Sequence, residues 1–246
     1  MDVDRDSRTA MAKRAISMID LTDLDDGHSP DGIDDLCARA ILHGTAAVCV
    51  WPEFVERCVA AGSGSALRVA TVVNFPGGED PIADVVALVE SARAAGADEI
   101  DVVIPWRAVL RGDTSHAIDL LAATRRATGD ATMKVILESG AVADAETVRE
   151  LADLAIAGGA DFLKTSTGKT ARGATLAAAA TMLGAIADVE RVVGLKPSGG
   201  IRTFEDAEQY LALADGAMGP GWATPATFRF GASGLLDVLL DEIGST

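Results

Sequence analysis

Lysine is scarce in this chain and sits where a solvated charge is disfavoured. There are five lysines, Lys13, Lys134, Lys164, Lys169 and Lys196, against sixteen arginines. Four of the five lie in or just after apolar segments that read as strands, where an ionised side chain must be paired to be tolerated. Of the two basic residue types, only lysine can shed its proton near neutral pH and attack as an amine. The stretch GADFLKTSTGK (159–169) puts Lys164 inside one such run, and RVVGLKPS (191–198) puts Lys196 in the next. Two ammonium groups on consecutive strands lower the pKa of the more buried one. An amine tuned in this way adds to a carbonyl and loses water to give a Schiff base. The protonated imine then acts as an electron sink for the neighbouring C–C bond, which is class I aldolase chemistry without a metal.

Other polar residues fall late in strand-like runs: Asp20 and Thr22, Asp101, Lys134 and Glu138. Each has a structural reading beside the functional one. Asp20 would serve either the site or a helix cap, and Lys134 either the site or a salt bridge to Glu138. Three turns follow the last three runs, STGK (166–169), SGGIR (198–202) and GASG (231–234). Glycines let backbone N–H groups approach phosphate oxygens, and Lys169 and Ser233 add a point charge and a hydroxyl. Gly168, Lys169, Gly199, Gly200, Ser233 and Gly234 are therefore the candidate phosphate-binding residues.

The elements that must position these groups recur about every thirty residues, the length of one βα unit. They are AISMIDL (15–21), TAAVCVW (45–51), LRVATVVNF (67–75), DEIDVVIPW (98–106), TMKVILES (132–139), ADFLKTST (160–167), RVVGLKPS (191–198) and FRFGAS (228–233). Alanine-rich stretches of helical period lie between them, such as DPIADVVALVESARAAGA (80–97) and DAETVRELADLAIAGGA (144–160). Eight strand–helix pairs in 246 residues predict a (β/α)₈ TIM barrel, an α/β fold in a single domain. A doubly wound sheet would usually carry GxGxxG after its first strand, and none follows there. The expected division is a polar N-terminal segment (1–12) and a barrel domain (13–246). In a barrel of this kind, strand-end residues converge at one mouth, where the loops after the last strands hold phosphate.

A net charge of −16 argues against nucleic acid and against an anionic membrane surface as partners. It fits a solvated acidic exterior or adaptation to salt. Cys37, Cys49 and Cys58 show no CxxC spacing, and His28, His43 and His116 pair with no carboxylate at a metal-binding interval. The expectation is no metal, no disulfide framework and a reducing, cytoplasmic compartment. No leader opens the sequence and no apolar run reaches the ~18 residues of a membrane helix.

These motifs resemble the deoxyribose-phosphate aldolase family. The similarity runs through IDLTDL (19–24), VCVWPEFV (48–55), VATVVNFPGG (69–78), GADEIDVVIPWRAVLRGD (96–113), KVILESG (134–140), GADFLKTSTGK (159–169), GLKPSGGIRT (194–203) and FRFGASGLL (228–236). The resemblance implies reversible cleavage of 2-deoxy-D-ribose 5-phosphate to acetaldehyde and D-glyceraldehyde 3-phosphate, in deoxynucleoside catabolism. It implies Lys164 as the Schiff-base lysine and Lys196 as the second lysine that perturbs it. Asp101 would relay protons with Lys196 through water, and Lys134 would join that polar network. Asp20 and Thr22 match the substrate end, and Cys49 matches a non-catalytic residue of the pocket wall. No cofactor beyond the covalent Schiff base is implied, and the partners are a small phosphosugar and an aldehyde. A homodimer is common among such barrels.

Two departures stand out. Many members have two serines after the last strand, whereas here Ser233 precedes Gly234, leaving a backbone N–H in place of one hydroxyl. Many relatives of this branch end in a tyrosine-bearing tail, whereas this sequence ends at Thr246 and its one tyrosine, Tyr210, falls in a predicted helix. A slower proton transfer at the acetaldehyde enamine is implied. Two competing readings are another Schiff-base lyase on the same barrel, such as a transaldolase or ketose-phosphate aldolase, and a non-catalytic phosphosugar sensor. The first would need room for a larger ketone donor and no second lysine. The second leaves Lys164 without a task.

Overall fold

Eight parallel strands wind into a ring in chain order. They are β1 (Ile19–Asp23), β2 (Ala47–Val50), β3 (Arg68–Val73), β4 (Glu99–Val103), β5 (Thr132–Ile136), β6 (Phe162–Lys164), β7 (Gly194–Lys196) and β8 (Phe230–Ala232). Their order in the sheet, β7-β6-β5-β4-β3-β2-β1-β8, puts β7 and β8 at the two edges. Isolated parallel bridges, Leu195 to Phe228 and Ser198 to Gly231, join those edges and close the barrel. The computed structural model describes residues 2–27, 29–142 and 144–244, so His28 and Thr246 lie outside the described residues.

Helices cover the outside. They are α1 (Asp2–Ile16), α2 (Pro30–His43), α3 (Val55–Ala61), α4 (Ile82–Ala94), α5 (Trp106–Leu110), α6 (Thr114–Thr128), α7 (Ala145–Ala157), α8 (Leu176–Ala187), α9 (Phe204–Met218) and α10 (Leu235–Gly244). Several begin where a short polar side chain accepts a first-turn N–H, as Ser29, Asp144 and Thr175 do for α2, α7 and α8. Thr203 and Asp206 form a reciprocal capping box on α9. Of the stretch 1–12, distinguished by its polarity, residues 2–12 are continuous with Lys13–Ile16 in α1. That helix packs against α9 and α10, buries Ala12 and Ala15, and ties Arg14 to Asp215 at 2.6 Å.

Two sets of side chains fill the interior. The larger lies between sheet and helices and takes the outward-facing strand residues, such as Val48, Val50, Ile100, Val102, Met133, Val135, Leu163, Leu195, Phe228 and Phe230. Burying each such side chain stabilises the fold by about 1.5–3 kcal/mol. The smaller set, Cys49, Ala70 and Val72 with Leu24, lies inside the ring beside β2 and β3. Much of the rest of the ring interior is charged, with the Phe162 ring beside Arg229, and those charges form the candidate site.

The observed strands are shorter than the apolar runs that announced them. Ala15 and Ile16 belong to the last turn of α1 rather than to the first strand, which instead runs on to Asp23. An apolar run cannot by itself separate a buried helix end from a buried strand. In ADFLKTST, only Phe162–Lys164 is strand, and the residues after Lys164 form the loop that carries the site.

Candidate active site

Strand register brings the ionisable residues to one level of the barrel. Asp101 pairs across from Lys134, and Lys164 pairs across from Lys196. With a period of two along each strand, Asp20, Asp101, Lys134, Lys164 and Lys196 all project inward. Asp101 is the hub. Its Oδ1 accepts from Lys134 Nζ at 2.7 Å, and its Oδ2 accepts from both Lys164 Nζ and Lys196 Nζ at 2.8 Å. Lys196 also meets Asp20 Oδ2 at 2.6 Å. Asp20, Asp101, Lys134 and Lys196 are fully buried, and Lys164 is 3% exposed.

The cations in this cluster are unequally supported. Lys134 contacts Glu99 at 2.5 Å, Asp101 at 2.7 Å and Asp20 at 3.5 Å. Among the described residues, Lys196 contacts two carboxylates, and Lys164 contacts one carboxylate oxygen, which it shares. The titration behaviour follows from these contacts. For Lys164, burial and then the neighbouring Lys196 charge outweigh Asp101, so its pKa falls below the ordinary lysine value. Burial acts the same way on Lys196, but Asp101 and Asp20 outweigh it and hold that ammonium charged. Lys134 is likewise raised, because Asp101 and Glu99 overcome its burial. Burial would raise the Asp101 carboxyl, yet the three lysines hold it well below its usual range. Cys49 lies 4.0 Å from Asp101 Oδ2, and burial pushes its thiol up, so it is an unreactive wall of the cluster.

Above the cluster opens a cavity of about 340 Å³ at the C-terminal ends of β1, β6, β7 and β8. Of the three clustered lysines, Lys164 lines it. The cavity wall also includes Thr22 and all six candidate phosphate residues, Gly168, Lys169, Gly199, Gly200, Ser233 and Gly234. The loops are drawn together by close backbone contact. Gly168 and Gly199 adopt φ of 79° and 83°, and a Cβ on Gly173 would lie 2.1 Å from the Gly199 carbonyl oxygen. Ser198 binds the two loops, its Oγ donating to Ser166 O at 2.5 Å while its N–H donates to Thr165 Oγ1 at 2.9 Å.

Two contacts of these residues are left open by the sequence. Lys134 does not pair with Glu138. Glu138 turns away through a left-handed backbone (φ 51°) and accepts from Thr167 Oγ1 at 2.5 Å and Thr170 Oγ1 at 3.1 Å, which braces the loop after β6. The Ser233 hydroxyl donates to Thr22 O at 2.9 Å, so here it secures the first strand to the last loop. Asp20 lies in the charge cluster below the cavity, and Thr22, whose hydroxyl donates to Asp20 O at 2.8 Å, lines the cavity. Tyr210 is buried in α9.

Sequence reasoning missed several members. Glu99 and Arg229 are buried within the cluster, with Arg229 donating to Asp20 at 2.6 Å and to Glu99 at 3.1 Å. Both were legible in principle, since Glu99 stands two residues before Asp101 and Arg229 two before Gly231. Period two puts each on the inward face. Arg202, in SGGIR, lines the cavity as an exposed second cation beside Lys169. Among the described residues no group of His, Cys, Asp or Glu has the arrangement to hold a metal ion, and no helix is long and apolar enough to cross a membrane.

Comparison with known proteins bears on this geometry. Residues 8–239 match the family model described as DeoC/LacD family aldolase. A deoxyribose-phosphate aldolase of Agrobacterium fabrum (strain C58 / ATCC 33970) is 50% identical over 236 residues, covering 94% of this chain and 91% of that protein. A Toxoplasma gondii ME49 structure provisionally described as a deoxyribose-phosphate aldolase superposes with a TM-score of 0.90 at 25% identity, covering 98% and 97% of the two chains. The deoxyribose phosphate aldolase of Aeropyrum pernix, reported as a tetramer, gives a TM-score of 0.77 at 25% identity, over 99% and 96%.

Proposed function

Because the chain belongs to the DeoC/LacD family of aldolases, we propose that it cleaves 2-deoxy-D-ribose 5-phosphate reversibly to acetaldehyde and D-glyceraldehyde 3-phosphate, with Lys164 as the Schiff-base amine. The observation that carries the assignment of Lys164 is its position. It is the least supported of the buried cations, it lies at the cavity floor, and it shares Asp101 Oδ2 with the ammonium of Lys196. A neutral amine there adds to the C1 aldehyde of the open-chain sugar, and water leaves to give the imine. Loss of the C3 hydroxyl proton breaks the C2–C3 bond and releases D-glyceraldehyde 3-phosphate. The electron pair goes to the imine and leaves an enamine on Lys164. Protonation at C2 and hydrolysis then release acetaldehyde and restore the amine.

Asp101 and Lys196 relay the protons of these steps with water. Asp101 accepts from both amines at once, so the relay has a proton source adjacent to the reacting nitrogen. Lys134 and Asp20 hold this pair in place from below. The phosphate takes the far end of the cavity, where Gly168, Gly199, Gly200 and Gly234 offer backbone N–H groups and Lys169 and Arg202 offer charge. The role of electron sink falls to the lysine imine, so the reaction as proposed calls on no cofactor.

The test is peptide mass spectrometry after incubation with acetaldehyde and borohydride. A reduced two-carbon adduct is expected on the peptide containing Lys164, and Lys164→Ala should lose both the adduct and the cleavage activity. An unmodified Lys164, alongside a known aldolase that is labelled, overturns the reading and favours a phosphosugar-binding barrel.

A further inference from the structure

The buried charges do not end at the reacting lysine. From Lys164 the contacts run to Asp101, then to Lys134, then to Glu99 at 2.5 Å, and from Glu99 to Arg229 at 3.1 Å and Arg68 at 2.6 Å. Arg229 closes a second path by meeting Asp20 at 2.6 Å, which in turn meets Lys196 at 2.6 Å. This chain crosses the barrel toward the N-terminal ends of the strands, opposite the substrate cavity. There Arg68 and Arg229 line a separate opening, with Ser17 and Thr45 at its rim. Glu99 is fully buried and Arg229 is 4% exposed, whereas the Arg68 side chain is 45% exposed.

A cluster this dry must nearly balance, since each unpaired ion inside a protein costs several kcal/mol. With Lys164 neutral, the carboxylates Asp20, Glu99 and Asp101 meet the cations Lys134, Lys196 and Arg229 one for one, and Arg68 caps Glu99 from the solvent side. A proton on Lys164 adds a cation with no carboxylate of its own. Lys164 is faced by Asp101 from β4, Lys196 from β7, and Cys49 from β2. Glu99 is faced by Arg68 from β3, Lys134 from β5 and Arg229 beside β8, and Arg229 by Asp20 from β1 and the Phe162 ring from β6.

We propose that Glu99 and Arg229 are positioning residues that set, from across the barrel and in opposite senses, the pH at which the Lys164 amine becomes neutral, through the charge balance of the lysine–aspartate chain between them. Neither lines the substrate cavity, so both act only through their neighbours. The inference rests on the assignment of Lys164 as the reacting amine. It gives the N-terminal end of the barrel, which in this fold generally serves stability, a share in the chemistry at the opposite end.

The two residues carry opposite charges, so their removal has opposite effects. Glu99→Gln leaves the chain one cation in excess, and Lys164 then gives up its proton at lower pH. Arg229→Met leaves an anion in excess, and Lys164 holds its proton to higher pH. Arg229→Lys keeps the charge and restores the original profile. Charges about 10 Å apart in a partly screened interior shift a pKa by about one unit, or roughly tenfold in rate on the limb of the profile.

The experiment is the rate of acetaldehyde trapping on Lys164 by cyanoborohydride as a function of pH, with circular dichroism on each variant. The expected result is an acid limb that moves down for Glu99→Gln, up for Arg229→Met, and back for Arg229→Lys. Should Arg229→Met fail to fold, the Glu99→Gln shift decides alone. A folded Glu99→Gln whose limb stays in place or moves up overturns the inference while leaving Lys164 as the nucleophile. Absence of any Lys164 adduct in the unsubstituted protein overturns both.

Discussion

At the scale of single residues, the question is why a costly lysine is kept in a dry interior. Lys164 is buried with its pKa lowered from 10.5, so the folded state binds fewer protons there than the unfolded chain does. Stability from this residue therefore rises with pH between its folded and unfolded values, and its cost is greatest below both. Lys164→Met removes that cost and leaves Asp101 with Lys134 and Lys196 as partners. The substituted protein is expected to melt at higher temperature than the original near pH 6, with the gap closing as pH approaches 10.5. Thermal melts across that range check it. A gap that widened with pH would mean that Lys164 is held charged in the fold. The proposed function accounts for the cost, because the same desolvation that destabilises the ammonium makes the amine available.

At the scale of elements, the loops after β6 and β7 are held by close backbone contact as well as by the Ser198 and Thr165 side chains. Gly173 approaches Gly199 so closely that a Cβ would sit 2.1 Å from the carbonyl oxygen and 2.4 Å from its carbon. Neither group is the end of a flexible side chain, so one loop must move. Gly173→Ala is expected to raise KM for the phosphorylated substrate about tenfold or more, the equivalent of ~1.4 kcal/mol. Trapping of acetaldehyde on Lys164 should change little, because acetaldehyde does not reach the phosphate end. Steady-state kinetics beside adduct formation separate the two effects. Equal loss in both would show that the loops also hold the lysine. Glu138, with its two threonine contacts, braces the same loop from the β5 side.

At the scale of the whole molecule, a net charge of −16 surrounds an interior that is close to electroneutral. The exterior repels itself, and that repulsion weakens once the Debye length falls from about 30 Å at 0.01 M salt to a few ångströms near 1 M. The melting temperature is therefore expected to rise with salt over that range, as differential scanning calorimetry would register. A fall would mean that surface ion pairs such as Arg57–Asp34 and Arg149–Asp188, rather than net repulsion, dominate the exterior. The buried chain from Lys164 to Arg229 is shielded from mobile ions, so the pH profile of Lys164 trapping should hardly shift with salt.

Much of this architecture was legible in the residues alone. The thirty-residue alternation of apolar runs and helical stretches points to a barrel, because a parallel strand buried on both faces has no other economical way to return. Lys164, Lys196 and Asp101 declared themselves as charges inside apolar runs, and a barrel of parallel strands brings strand ends together whatever the loops do. The partners were another matter. That Lys134 turns to Asp101, Glu99 and Asp20 rather than to Glu138 depends on register between strands and on the left-handed backbone of Glu138 two residues beyond β5. That Glu99 and Arg229, 130 residues apart, share a contact depends on the ring closing β8 onto β1. Local pattern shows which way a side chain points along its own strand. Only closure in three dimensions decides which charge it meets, and that meeting is what leaves Lys164 sharing a single carboxylate oxygen with Lys196.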